Sequence, residues 1–172
     1  MATAPFRIAL ISTGGTIEKT YDELSGVLAN QVSNLDIMLA SLEIRGVEIF
    51  RVQLMNKDSL DMTEADHDLI SRTARQMSEA YDGVVVVHGT DRLAVSGERM
   101  LAEGEPFAPI VLTGAFRPYQ LRSTDAVQNL TEALVAVQLV DPGVYVAMHN
   151  RVLQFPGVRK DAKNCTFVRD EP

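Results

Sequence analysis

Four consecutive valines, Val84 to Val87, follow an Asp82-Gly83 turn and run into His88-Gly89-Thr90-Asp91. A strand with one wet face alternates apolar and polar side chains, so a run without alternation reads as a strand covered on both faces. Phe6 to Ile11 also suits a buried strand, and Val47 to Met55, Pro109 to Leu112 and Val144 to Met148 read as others. Helical spacing fills the intervals. Asn34 is placed to cap a helix over Leu35 to Ile44, which Gly46 would end. Thr63 with Asp66 forms a capping-box pattern, and Ile70, Ala74, Met77 and Tyr81 recur at helical intervals, which predicts an amphipathic helix over 63–80. A helix is expected from Arg92 to Glu103. Another begins near Asp125, with Val127, Leu130, Leu134 and Val137 on one face. Alternation of strand and helix predicts an α/β domain over residues 1–172, with a mainly parallel sheet between helices. Ile17 to Gln31 reads as a loop with a short extended piece at Gly26 to Ala29, and such a loop is often a lid. Beyond His149 the pattern loosens, with one short strand near Val152.

The length of 172 residues suits one domain with a real core, and 46% apolar against 23% charged residues is a globular composition. A net charge of -7 argues against general affinity for nucleic acid or anionic membrane, because phosphate contacts need clustered cations. The longest basic group, Arg159, Lys160 and Lys163, is interrupted by Asp161. A single cysteine, Cys165, allows no internal disulfide, and no His, Asp or Glu cluster has metal-ligand spacing. No apolar run reaches membrane-spanning length, and the N-terminus lacks the pattern of a cleaved leader, so a cytoplasmic protein is expected.

Polar and small residues recur where the strands end. The first strand leads into Thr13-Gly14-Gly15-Thr16-Ile17, and the glycine pair leaves Thr16 at a strand's C-terminal end with little bulk around it. In an open α/β sheet that is where ligands bind. Neither a dinucleotide fingerprint nor a mononucleotide phosphate loop is present. Thr16 becomes a nucleophile only if something removes its proton, and Tyr21 lies five residues on; alternatively Tyr21 packs its ring and Thr16 caps the turn. Ser59, Thr90 with Asp91, and Ala115 end other strands and would share the same edge. His88 is a general-base candidate or a satisfied structural histidine, and Thr90 with Asp91 a catalytic pair or a plain helix cap. His67 and His149 receive no chemistry.

Taken in order, Thr13-Gly14-Gly15-Thr16-Ile17, Ser59 before Asp61-Met62-Thr63, His88-Gly89-Thr90-Asp91, Thr113-Gly114-Ala115-Phe116-Arg117-Pro118, and Arg122-Ser123-Thr124-Asp125 with Asn129 resemble the bacterial-type L-asparaginases, from about residue 6 to residue 167. The resemblance implies a three-layer flavodoxin-like fold and hydrolysis of asparagine to aspartate and ammonia without metal or organic cofactor. It implies that Thr16 attacks the amide carbon, assisted by Tyr21, and that Thr90, Asp91 and Lys163 form a second polar triad, with Lys160 the alternative lysine. Asp91 would also pair with the substrate ammonium and Ser59 with its carboxylate. Backbone N–H groups around Gly15, Thr16 and Thr90 would receive the oxyanion, and the Ala115 carbonyl would accept from the leaving amide. Most members of that family carry a further C-terminal domain, so this sequence resembles a short form. Leu60 stands where many members have a polar residue. A homo-oligomer, dimer or tetramer, is expected. The rival functions are a glutaminase or ammonia-supplying transamidation subunit, and a non-catalytic amino-acid-binding module.

Overall fold

A computed structural model describes residues 4–170. Its six-stranded sheet contains β1 (Phe6–Gly14), β4 (Val47–Lys57), β5 (Gly83–Val87), β6 (Ile110–Thr113), β7 (Val144–Met148) and β8 (Arg151–Gln154), in the order β4-β1-β5-β6-β7-β8. The first five run parallel, and only β8 is antiparallel. Counted along the chain, the parallel strands lie in the order 2-1-3-4-5, which is the flavodoxin-like arrangement.

The valine run is covered on both sides, as its composition requires. Val85 and Val87, with Ile8, Leu10, Val111 and Ala147, pack under α1 (Leu35–Ala40) and α4 (Ala126–Ala136). Val84 and Val86, with Ala9, Ile11, Leu112 and Val146, pack under α2 (Glu64–Ala80) and α3 (Leu93–Ala102). The predicted capping box on α2 is complete: Thr63 Oγ1 accepts from the Asp66 N–H, and the Asp66 carboxylate accepts from the Thr63 N–H. The Lys57 ammonium and the Thr63 N–H hold the Asp66 carboxyl down at about 2.

The structure corrects three local expectations. The first helix stops at Ala40 instead of reaching Ile44, and the Asn34 side chain does not cap it. Ser33 Oγ instead accepts from the Leu35 N–H at 3.2 Å, and the Ser41 hydroxyl turns back on the Met38 carbonyl at 2.6 Å. The expected loop over 17–31 contains a small antiparallel hairpin, β2 (Thr20–Asp22) with β3 (Val27–Ala29). The tail is also more ordered than its pattern suggests. After β8, a second hairpin forms from β9 (Val158–Asp161) and β10 (Thr166–Arg169), which pair only with each other.

That second hairpin is bolted to α3. Phe155, Val158 and Phe167 enter the core, and the Gly157 N–H donates to Glu98 Oε1 at 2.7 Å. Gly97 on α3 makes room for the Phe155 ring: a Cβ at Gly97 would fall 2.2 Å from Cζ of that ring. Gly97→Ala should therefore lower stability by about 1–3 kcal/mol through overpacking, read as a lower urea midpoint. An unchanged midpoint would mean that the ring turns aside freely.

Candidate active site

The parallel strands bring their C-terminal ends to one edge, and two glycines fix how closely those ends approach. Gly15, with φ of 82°, follows β1; Gly89 follows β5. A Cβ on Gly15 would lie 2.4 Å from the Gly89 Cα, so the two turns touch backbone to backbone. Thr16 and Thr90, the next residues, leave from adjoining points. A Cβ on Gly89 would fall 2.6 Å from Ser59 Oγ, and one on Gly114 would fall 2.3 Å from the His88 carbonyl oxygen. The ends of β1, β4, β5 and β6 thus converge, and Gly15, Thr16, Ser59, Thr90 and Ala115 share one rim.

Each turn is held by its own polar contacts. The Gly15 N–H donates to the Lys57 carbonyl at 2.8 Å, and Asn30 Nδ2 donates to the Gly15 carbonyl at 2.9 Å. Below Thr16, the buried Glu18 carboxylate accepts from the Gly14 N–H at 2.9 Å and from the Ser33 hydroxyl. Burial raises the Glu18 carboxyl, and those two donors partly offset the rise. Ser59 Oγ is buried and accepts from the Arg92 N–H at 3.3 Å, which leaves its own O–H free to donate. Asp58 accepts from Lys19 at 2.6 Å and from the Leu60 N–H at 3.1 Å, and the Lys19 contact leads in lowering its carboxyl.

The lysine is the point on which the structure corrects the sequence reading. Lys160 Nζ lies 3.0 Å from Thr90 Oγ1 and 2.7 Å from Asp91 Oδ1. It also stands 4.8 Å from the centre of the Phe116 ring, within cation–π range. Lys163 is elsewhere: it sits exposed in the turn between β9 and β10, its N–H bonded to Asp161 Oδ1. The reason is strand parity. Lys160 shares the inward face of β9 with Val158 and pairs across to Phe167, whereas Lys163 lies outside both strands.

Tyr21 is not joined to Thr16 by a hydrogen bond. It lies on β2, 57% exposed, with its N–H donating to Gln120 Oε1 at 2.7 Å. Its hydroxyl is within 4.0 Å of where a Gly26 Cβ would be, at the far turn of its own hairpin.

Three residues outside the expected set support the Ala115 segment. Asp125 accepts from the Phe116 and Arg117 N–H groups at 3.0 and 2.9 Å, and contacts His149 Nε2 at 2.7 Å. Burial pushes the Asp125 carboxyl up, but these donors outweigh it and leave it below the usual range. Asn129 Nδ2 donates to the Gly114 carbonyl at 2.9 Å, and the His149 ring stacks on Phe116. Phe116 in turn faces Lys160. In sequence, Asp125 carried a helix-start signal and, with Asn129, a place in one of the segments that resemble the family, but no site role; His149 carried neither. Among the described residues, no group of three or more His, Cys, Asp or Glu could hold a metal ion, and no helix is long and apolar enough to cross a membrane.

A family profile described as asparaginase, N-terminal, matches residues 7–166. The chain belongs to the asparaginase family. It is 30% identical to the L-asparaginase of Thermococcus kodakarensis over 149 residues, 86% of this chain and 45% of that relative. It is also 35% identical to one component of the glutamyl-tRNA(Gln) amidotransferase of Haloquadratum walsbyi over 144 residues, 83% of this chain and 33% of that one. Among solved structures, the Thermococcus kodakarensis L-asparaginase superposes with a TM-score of 0.85 over 95% of this chain and 51% of that one, at 30% identity. A probable cytoplasmic L-asparaginase from Campylobacter jejuni gives 0.76 over 89% and 49%, at 31% identity. This member of the asparaginase family thus spans between a third and about half of these relatives' lengths.

His88, beside the rim, is the histidine that burial perturbs most: loss of hydration lowers it to about 4. The ring should stay neutral through pH 5 and its resonances should move only near pH 4, as a histidine NMR titration would record. An unfolded chain takes up that proton near the ordinary pKa of about 6.5. Below that value the unfolded state binds more protons, so His88 withdraws stability as pH falls from about 6.5 towards 4.

Proposed function

We propose that the protein hydrolyses the side-chain amide of L-asparagine to L-aspartate and ammonia, with Thr16 as nucleophile. The contact of Lys160 with both Thr90 and Asp91, beside the turn that bears Thr16, is the observation that carries this reading. An ammonium can only donate, so Thr90 Oγ1 accepts from Lys160 and keeps its own proton to offer to the amide or to the attacking water. Asp91, 43% exposed, retains carboxylate surface for the α-ammonium of an amino acid. The free Ser59 hydroxyl suits the α-carboxylate, and the Ala115 carbonyl suits the amide nitrogen. Ala115 belongs to the segment that Asp125 and Asn129 hold in place.

In the first step Thr16 Oγ bonds to the amide carbon and its proton goes to the leaving nitrogen. Ammonia departs and an ester remains. Water then adds to the ester carbon, and its proton returns to Thr16 as aspartate leaves. Two preorganised turns around the reacting carbonyl stabilise the oxyanion more than mobile water could. Tyr21 assists only if the β2–β3 hairpin swings its phenol towards Thr16. In this reading Lys160 takes the place that the resemblance assigns to Lys163, residues 1–172 act as one domain, and the protein is a cytoplasmic homo-oligomer, dimer or tetramer. The open rim, with Leu60 and Tyr21 both largely exposed, supports closure by another copy.

The amidotransferase relatives favour a second reading, in which the same cleavage supplies ammonia to a transamidation partner. Ammonia release from asparagine and glutamine, with and without a candidate partner, separates the two. Thr16→Ala should cut release by roughly 10³-fold or more while leaving the circular dichroism spectrum intact. Sustained turnover in that variant would rule out the nucleophile. Lys160→Met should cost about 10²-fold or more in kcat, and Lys163→Met should leave the rate unchanged; the reverse pattern would return the role to Lys163.

A further inference from the structure

Behind the Thr90 backbone runs a chain of three fully buried polar side chains to which the hydrolytic reading gives no task. They are His67 on α2, Ser96 on α3 and His88 at the end of β5. His67 Nδ1 is 2.7 Å from Ser96 Oγ, Ser96 Oγ is 2.8 Å from His88 Nε2, and His88 Nδ1 is 2.8 Å from the Gly89 carbonyl oxygen.

The far end of this chain dictates its protons. A carbonyl oxygen only accepts, so His88 Nδ1 carries the hydrogen. A neutral imidazole has one N–H, so His88 Nε2 accepts and the Ser96 hydroxyl donates to it. Ser96 Oγ then accepts from His67 Nδ1–H. With both rings neutral, this is the single arrangement that satisfies all three contacts, and burial lowers both histidines in the direction that keeps them neutral. His67 Nε2 is left as a buried acceptor with no partner among the described residues. A chain kept only to fill space would be better served by apolar side chains, because a buried acceptor without a donor costs stability.

The Gly89 carbonyl and the Thr90 N–H belong to one planar trans peptide, in which the two groups point in opposite directions. Holding the carbonyl towards α3 therefore directs the N–H away from the His88 ring. That N–H meets no acceptor among the described residues. A hydrogen bond accepted at the carbonyl also polarises the peptide and strengthens its N–H as a donor.

We propose that the His67–Ser96–His88 chain is a positioning device that locks the Gly89–Thr90 peptide, aiming and strengthening the Thr90 N–H for the oxygen that becomes negative during amide hydrolysis. The proposal rests on the amidohydrolase reading and adds to it how one oxyanion donor is held. His88 and Ser96 act through the peptide and touch no reacting atom.

Ser96→Ala removes one oxygen and cuts the chain at its middle. The wild-type protein and this variant are compared in ammonia release from asparagine and glutamine. The expected result is a kcat lowered about ten- to a hundredfold with KM nearly unchanged, since a displaced oxyanion donor costs the transition state more than the bound substrate. Ser96→Thr, which restores a hydroxyl, should recover most of the loss. Histidine ¹⁵N spectra of the wild type should show His88 protonated at Nδ1 and bare at Nε2, and Ser96→Ala should move the Thr90 amide proton upfield. An active wild type whose Ser96→Ala variant keeps full kcat, or a His88 protonated at Nε2 alone, overturns this inference and leaves the hydrolase reading standing. A wild type that releases no ammonia from either amide sinks the hydrolase reading, and the purpose assigned to the chain goes with it.

Discussion

The contact of Gly15 with Gly89 is what the rest of the site depends on. Neighbouring strands lie about 4.8 Å apart, and turns that leave two such strands ordinarily diverge as side chains fill the gap. Here the gap holds backbone alone: a Cβ on Gly15 would lie 2.4 Å from the Gly89 Cα, so not even a methyl would fit. The contact also falls between β1 and β5, the point at which the strand order reverses. That reversal opens a crevice in any doubly wound sheet. What distinguishes this crevice is its narrow floor, which brings two hydroxyl-bearing residues to the same place from positions more than seventy residues apart in sequence.

The supports of the rim have a common chemistry. Glu18 receives the Gly14 N–H, Asp58 the Leu60 N–H, Asp66 the Thr63 N–H and Asp125 the N–H groups of Phe116 and Arg117. In each case a carboxylate accepts from a backbone N–H at the end of a strand, in the turn that follows it or at the start of a helix. The net charge of -7 thus includes acids with a definite structural duty around the site. Loops tied in this way hold their positions without regular secondary structure, as a rim of preorganised groups requires.

Much of this was legible in the sequence, for reasons that can be traced to particular residues. Unalternating apolar runs marked β1, β5 and β7, and the Thr63 and Asp66 pair marked the start of α2, because burial on two faces and N-terminal capping each leave a local signature. The recurrence of small and hydroxyl-bearing residues after strands foretold the shared edge. The β9–β10 hairpin was missed because its strands are four residues long and carry Arg159, Lys160, Asp161 and Arg169, so hydropathy alone does not reveal them. Parity would have helped: Val158 and Lys160 stand two apart, and Thr166-Phe167-Val168 favours a strand, which together place Lys160 on the inner face. The segment of Asp125 could be recognised, but its contacts could not, since its partners are the backbone groups of Phe116 and Arg117 and the ring of His149, a residue of another part of the chain that bore no signal.

The pairing of Lys160 with Phe167 makes the alignment of β9 on β10 a determinant of the site's charge. Side chains in a strand alternate with a period of two, so a slip of a single residue would turn Arg159 inward in place of Lys160. A guanidinium is broader and stays protonated at any physiological pH. The inserted Phe155, Val158 and Phe167 side chains guard against that slip. Apolar side chains that make no polar contact of their own thereby choose which cation meets Thr90.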